Sequence, residues 1–200
     1  DSAALFFDGR TQPRSAHPRV MLCCGADVRH VECIPGTTVD ALLPPTIDGA
    51  EVVAALLGQR PVALATPVVA DAQISPITLA SWEGREVWRR SAGLAFLAAA
   101  RRVPGVPRLT LAHSVGAGRV VRGPTDSASF IPAIEAELRK LVEADVPVSR
   151  EQWTVEEARA HFTALGWNEA VRLLTTTRNP SVVMHGLDGT YAHAMGPALP

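Results

Sequence analysis

A glycine-rich segment in the middle of the chain offers the clearest chemistry for binding a ligand. It reads His113-Ser-Val-Gly-Ala-Gly118. Glycines let backbone N–H groups approach an anion closely, and a histidine and a serine add side-chain donors. Arg89, Arg90 and Arg119 could add charge if the preceding helix packs against the hairpin. The residues of this candidate anion or nucleotide site are His113, Ser114, Gly116, Gly118, Arg89 and Arg90. The simpler alternative, which the motif alone favours, is a tight hairpin turn that needs glycine for its dihedral angles.

The six histidines do not form a recognisable metal motif. None belongs to a His-x-x-x-His pair or to a Cys/His cluster. His185 and His193 fall on two paired predicted strands and could approach each other. Two histidines alone make a poor site, and surface positions on the strands explain them more simply. We therefore expect no bound metal.

Positive charge is concentrated along one predicted helix. Its arginines are Arg85, Arg89, Arg90, Arg101 and Arg102. Such a strip is either a solvated helix face or a contact for phosphate or RNA. Nucleic-acid binders usually add exposed aromatic side chains, whereas we expect Trp88 to lie in the core. A solvated face is therefore the favoured interpretation.

A phosphate-binding P-loop is not present in this sequence. The pattern Gly-x-x-x-x-Gly-Lys-Ser/Thr requires a lysine in the loop. The only lysine, Lys140, lies in the middle of a predicted helix. ATP-dependent phosphoryl transfer therefore cannot be placed on these residues.

The composition is that of a folded, nearly neutral chain. With 200 residues and 47% hydrophobic content it can bury a core. A net charge of −1 provides no field towards DNA or an anionic membrane, and no apolar run is long enough to span a bilayer. Three cysteines without secreted-type spacing predict a reducing compartment, the cytoplasm. Since the chain starts at Asp1 without a methionine, we expect it to be part of a longer protein.

The elements that must position these residues are short strands in the first part of the chain. Strands are predicted at residues 20–24, 28–34, 62–64 and 68–74, with further strand material within 47–57. Gly25-Ala26-Asp27 predicts a hairpin turn, and Thr38 is expected to cap a short helix that ends at Leu43. This pattern is compatible with a small β-grasp.

Longer periodicities follow, and they predict helices and antiparallel strands. Helices are expected at residues 86–102, 127–144, 154–165 and 168–174, and strands at 109–113, 119–122, 146–153, 182–185 and 190–193. Phe130, Ile134, Leu138, Leu141 and Val142 are expected to form one buried stripe. The predicted fold class is α+β, with a small β-grasp domain followed by an α+β domain.

Two segments resemble the editing domain of threonyl-tRNA synthetases. They run from Arg85 to Ala100 and from Ala194 to Pro200. The family carries His-x-x-x-His in the first segment, and Cys-x-Gly-Pro-His in the second with an aspartate two residues before the cysteine. The positions of these reactive side chains fall here on Gly93, Leu97, Ala192, Ala194 and Ala198. Because none of these side chains can transfer a proton, the resemblance implies an editing-like fold without catalytic residues.

The same segments also resemble the N-terminal region of uridine kinase-like proteins. That family has Tyr-Arg-Arg-Ser, His-Ser-x-Gly-x-Gly and Gly-Pro-x-x-Pro in this order. The chain has Trp88-Arg-Arg-Ser91, His113-Ser-Val-Gly-Ala-Gly118 and Gly196-Pro-Ala-Leu-Pro200. The resemblance implies a lead-in segment at 1–19, a TGS-like domain at 20–80 and an editing-like domain at 81–200 that is truncated at its C-terminus.

The function implied by this resemblance is that of a non-catalytic binding or regulatory region. Its partner would be a downstream kinase domain in the same chain, with a nucleotide or RNA as a possible ligand. ATP and magnesium are expected only for that kinase domain, and no cofactor for these residues. One alternative is an editing hydrolase or synthetase fragment in which His113, His185 or His193 takes over the chemistry. The other is a purely structural domain whose pocket is filled by Leu97 and neighbouring aliphatic side chains.

Overall fold

A computed structural model describes residues 17–115 and 118–199, except for the side chains of residues 125 and 127. Most of the predicted lead-in segment, Gly116 of the candidate anion site and Pro200 of the last motif therefore lie outside the described residues.

The first part of the described chain forms a six-stranded mixed sheet. Its strands are β1 (Arg19–Cys24), β2 (Asp27–Glu32), β3 (Thr46–Ile47), β4 (Ala50–Leu57), β5 (Arg60–Val62) and β6 (Ala72–Thr78). The order is β2-β1-β6-β4-β3, and β5 pairs with β4. The predicted hairpin between β1 and β2 is confirmed, because Gly25 provides a positive φ of 65° at the turn. β6 begins four residues later than the predicted strand at 68–74, and β1 pairs with it in parallel.

The predicted short helix after Thr38 is wrong. Thr38 forms an isolated β-bridge with Pro67. The following amides donate outwards, from Val39 to the carbonyl of Thr66 at 3.1 Å and from Asp40 to that of Leu64 at 3.0 Å. Val39 is fully buried in the core of the first sheet. Tertiary pairing and burial therefore override a local capping signal.

One long helix links the two parts of the chain. This helix, α1, spans Trp82–Arg102 and begins four residues earlier than predicted, because the Ser81 side chain accepts a hydrogen bond from the Gly84 amide. Its N-terminal half rests on the first sheet, where Val87 packs with Val53, Ala54 and Ile77.

A hairpin and a second helix follow α1. The hairpin strands are β7 (Thr110–Val115) and β8 (Gly118–Arg122), as predicted. A 3-10 helix at Thr125–Phe130 then leads into α2 (Ile131–Glu143). α2 packs on α1 through Ile134 and Leu141. Val142 is 69% exposed, so its predicted place on the buried stripe is wrong: Leu141 takes the inward position.

The last part of the described chain forms a three-stranded antiparallel sheet with two short helices. The elements are β9 (Ser149–Thr154), α3 (Val155–Ala164), α4 (Asn168–Thr175), β10 (Ser181–Leu187) and β11 (Thr190–His193), and the sheet order is β11-β10-β9. α3 begins with the predicted capping box, in which Thr154 and Glu157 exchange both hydrogen bonds. Gly166 ends this helical turn with a φ of 68°.

This small sheet is covered on both faces. Val182 and Met184 point to α3 and α4, where they pack with Ala158, Phe162 and Leu174. Leu187 and Ala192 point to the opposite face and join the core formed by α1 and α2. Mixed sheets, hairpins and helices together confirm the α+β class. No helix in the described part of the chain is long and apolar enough to cross a membrane.

Candidate functional site

The first two positions that lack reactive side chains lie on α1, and they differ in their surroundings. Gly93 is buried beneath the β7–β8 hairpin. A Cβ atom at Gly93 would lie 2.8 Å from Leu111 Cδ1 and 3.2 Å from Arg119 Nη1. A histidine would not fit there unless both side chains moved. Leu97, one turn further along, lines an open cavity instead.

The remaining such positions lie on β11 and just after it. Ala192 is directly opposite His185 in the sheet register and packs into the core formed by α1 and α2. The Ala194 amide donates to the Val183 carbonyl at 2.8 Å, which extends the pairing beyond β11. Ala198 is buried. These methyl groups complete packed surfaces and can neither hold a water molecule nor transfer a proton.

Helix α1 holds the segment after β11 through two side chains of its Trp-Arg-Arg-Ser motif. Arg90 Nε donates to the Pro197 carbonyl at 3.2 Å. The Leu199 amide donates to Ser91 Oγ at 2.8 Å, while that hydroxyl donates to the Val87 carbonyl at 3.1 Å. The first and third motifs of the sequence are therefore in direct contact, and the contact fixes the path of the chain after β11.

The described residues of the predicted anion site lie on different surfaces. His113 and Ser114 are exposed near the tip of the β7–β8 hairpin, and Gly118 begins β8. Arg90 is directed to the Pro197 carbonyl, and Arg89 forms an ion pair with Glu86 on its own helix.

Of the three arginines expected to supply charge to the glycine-rich motif, Arg119 lies on the hairpin itself, in β8. Arg119 Nε donates to the Ala112 carbonyl at 3.2 Å, and its guanidinium group covers Gly93. The contact between helix and hairpin therefore involves Arg119, which holds the two elements together by packing over Gly93.

Surface positions are the simpler interpretation of His185 and His193 from the sequence alone. This interpretation is wrong for His185, which is only 7% exposed. Burial, followed by the charges of Arg150 and Arg90, lowers the pKa of His185. Burial also lowers the pKa of His193, whose Nδ1 has no hydrogen-bond partner in the described structure. His193 lies opposite Met184, so the two histidines project from opposite faces of the sheet.

Metal binding finds no support in the arrangement of these groups. Across residues 17–115 and 118–199, no three His, Cys, Asp or Glu side chains come together as a possible ion site. The buried His185 has arginines rather than carboxylates as its charged neighbours, which disfavours a cation.

The arginine strip is divided between internal contacts and solvent. Arg101 donates to the Gly189 carbonyl at 2.6 Å and Arg102 to Asp188 at 2.6 Å, so both hold the β10–β11 turn. Trp88 is 49% exposed, so its expected place in the core is wrong. The position follows from the helix geometry: Val87 faces the first sheet, which turns Trp88 towards solvent.

A cavity beside Leu97 was not predicted from the sequence. Its volume is about 460 Å³, and it lies between α1, β7 and the start of α4. Aliphatic side chains from α1 and β7 line one side, and the polar groups come from Arg108, Asn168, Glu169 and Arg172.

Arg108 lies at the rim of this cavity. One N–H of its guanidinium group donates to the Gly166 carbonyl, in the turn between α3 and α4. Within the described residues, neither Arg108 nor Arg172 has a carboxylate within the 4.0 Å of an ion pair. The cavity therefore combines an apolar wall with two arginines that form no ion pair among the described residues, an arrangement suited to a ligand that has both an apolar and an anionic part.

Comparison with known proteins places the chain near one enzyme class. No protein-family model matches it. The threonine–tRNA ligase of Syntrophotalea carbinolica is 29% identical over 155 residues, which cover 75% of this chain and 24% of the ligase. Threonine–tRNA ligase 1 of Bacillus subtilis is 28% identical over 148 residues, covering 72% and 23%. The ligase of Desulfovibrio desulfuricans is 29% identical over 181 residues, covering 85% and 28%.

These matches confirm the similarity to threonyl-tRNA synthetases that the motifs indicated. The chain spans about a quarter of the length of the curated relatives it matches. It is therefore similar, over most of its own residues, to one region of the threonine–tRNA ligases.

Proposed function

We propose that this chain is a non-catalytic binding or regulatory region of a uridine kinase-like protein. The observation that carries the proposal is the packing at Gly93, where Leu111 Cδ1 and Arg119 Nη1 lie 2.8 and 3.2 Å from the position of a Cβ atom and leave no room for a histidine unless they move. The alanines at positions 192, 194 and 198 add no group that could replace the missing chemistry. An open cavity of about 460 Å³ beside Leu97 supports a retained ligand.

The domain organisation is part of the same proposal. Residues 20–80 would form a TGS-like β-grasp domain, and residues 81–200 an editing-like domain. The pairing of β1 with β6 in the first sheet, and the small sheet covered by helices in the second part, support this division. ATP and magnesium would act only in a downstream kinase domain, in a cytoplasmic protein.

The uridine kinase-like parent is proposed from the three motifs. Two of these motifs are in contact through Arg90 and Ser91, so these two residues have a structural role that does not depend on editing. The parent should phosphorylate uridine with ATP, and removal of residues 1–200 should change its dependence on effectors without abolishing phosphorylation. Threonine attachment to tRNA by the parent, with no phosphorylation of uridine, would contradict this assignment.

The non-catalytic character is tested with mischarged tRNA. Residues 1–200 should not accelerate the hydrolysis of Ser-tRNA above the uncatalysed rate, whereas a threonine–tRNA ligase run in parallel should do so. A deacylation rate that rises in proportion to the concentration of this chain would refute the proposal.

A second candidate function is hydrolysis by a relocated histidine. His185 lies directly opposite Ala192, the position of the family aspartate, and is buried next to α1. If this arrangement were catalytic, the chain would deacylate Ser-tRNA and His185→Ala would abolish the activity. The same assay therefore decides between the two functions.

A further inference from the structure

The cavity beside Leu97 carries more information about its ligand than the sequence motifs do. Leu97, Leu109 and Leu111 form an aliphatic wall, and this wall requires an apolar body on the ligand. A volume of about 460 Å³ lies within the range of roughly 300 to 1,000 Å³ that is typical of small-molecule pockets. The space suits a molecule with a ring system better than it suits an inorganic ion.

The charges around the cavity call for an anionic group on the same ligand. Arg108 and Arg172 both line the cavity. Arg108 precedes β7, whereas Arg172 lies on α4, so two separate elements contribute the positive charge. Each guanidinium group presents several N–H donors in a planar fork that matches the oxygens of a phosphate group. Within the described residues neither guanidinium group forms an ion pair, and although Arg108 donates one N–H to the Gly166 carbonyl, its other donors and those of Arg172 remain for a ligand.

The first turn of α4 adds donors to the same place. Residues 168–170 line the cavity, and no side chain caps the helix. The first N–H groups of a helix have no partner within it, and a phosphate oxygen can accept from them. This feature supports the two arginines, which carry the inference together with the apolar wall.

Two further polar groups fit the remaining parts of a nucleotide. The Asn168 side chain offers a donor and an acceptor, as required by the edge of a nucleobase. The Glu169 carboxylate accepts hydrogen bonds and would repel a phosphate group, so it suits the hydroxyl groups of a ribose. Anion, sugar and base are thus each matched by a different side chain.

We propose that the cavity between α1, β7 and α4 binds a 5′-mononucleotide, with Arg108 and Arg172 on the phosphate and the leucine wall against the base. This inference rests on the proposed binding function and names its ligand class. It involves no covalent step. Bound nucleotide would report to α1 through Leu97 and to the β7–β8 hairpin through Leu111.

The test is a calorimetric titration of the 200-residue chain with UMP, CMP, AMP and GMP. The four corresponding nucleosides and inorganic phosphate serve as partial ligands, and threonine serves as the alternative ligand. At least one mononucleotide should saturate the chain at concentrations up to about 5 mM, with weaker binding of its nucleoside and of phosphate alone. Absence of binding by all four mononucleotides would overturn the inference, and so would binding of threonine alone.

Variants locate the site. Arg172→Gln should weaken the mononucleotide about tenfold or more, because a charge-assisted hydrogen bond is lost. Arg159→Gln is the matched control, since Arg159 is exposed on α3 and does not line the cavity. Unchanged binding in Arg172→Gln, with a circular dichroism spectrum like that of the wild type, would overturn the assignment. The deacylation assay is independent of these outcomes, so failure here leaves the non-catalytic proposal standing.

Discussion

Replacing Ser91 by alanine tests whether the contact between α1 and the segment after β11 stabilises the fold. In the wild-type chain, the Ser91 hydroxyl accepts from the Leu199 amide at 2.8 Å and is itself buried. Ser91→Ala leaves that amide without its acceptor, at a cost of about 1 to 3 kcal/mol. Alanine has the better helix propensity, which returns about 0.5 kcal/mol.

The net loss expected for Ser91→Ala is therefore about 0.5 to 2.5 kcal/mol in the free energy of unfolding. For a chain of this size, each kcal/mol lowers the Tm by about 2 to 4 °C. Thermal unfolding followed by circular dichroism measures the loss. Native-state hydrogen exchange of the Leu199 amide measures its location, since that amide should lose protection first.

The control is Ser129→Ala. The Ser129 hydroxyl also donates to a backbone carbonyl, that of Asp126 at 2.7 Å, but it is exposed to solvent. We expect less than about 0.5 kcal/mol for this variant. The reasoning would be refuted if Ser91→Ala unfolded at the wild-type temperature and left the protection of the Leu199 amide unchanged.

Three further predictions concern the packing, the charge and the capping of the same fold. Gly84→Ala should cost at least about 2 kcal/mol in thermal unfolding, because its Cβ atom would lie 2.0 Å from a backbone oxygen of β6. Gly93→Ala should stay within about 1 kcal/mol of the wild type, because its Cβ atom would meet only the ends of side chains. Equal losses of stability in the two variants would contradict this prediction. Because the pKa of His185 is lowered in the folded chain, the unfolded chain takes up this proton at a higher pH. The free energy of unfolding should therefore fall as the pH drops below about 6.5. His185→Gln should reduce that fall, as measured by denaturant titrations at two pH values. Thr154→Ala removes the cap of α3 and should cost about 1 kcal/mol in the same titration, an effect that Glu156→Ala, outside the capping box, should not reproduce.

Local signals in the sequence predicted most of the elements. The glycine at position 25 and the Thr154–Glu157 capping box act within a few residues, so their structures followed directly from the chain. Thr38 and Trp88 were misjudged because their surroundings depend on segments far away in the sequence. A capping residue forms no helix when its neighbours pair with another segment, and a tryptophan stays exposed when the adjacent valine takes the inward position.

The candidate site was less accessible to sequence reasoning. The loss of reactive side chains could be seen at Gly93 and Leu97 once the resemblance was recognised. Gly93 is covered by the β7–β8 hairpin, whereas Leu97 borders a cavity that α4 helps to form. No spacing rule predicts that this hairpin and α4 pack near α1. Arg172 belongs to no motif, and only the tertiary fold brings it to the same cavity as Arg108.

The crowding over Gly93 makes the order of substitutions matter. A histidine introduced there alone would collide with the Leu111 and Arg119 side chains, so the cost of that change depends on which residues stand at the two hairpin positions. Shortening the Leu111 and Arg119 side chains first would remove their packing against α1 and would add no compensating contact. The effect of a histidine at position 93 therefore depends on the residues at positions 111 and 119, which is epistasis between α1 and the β7–β8 hairpin.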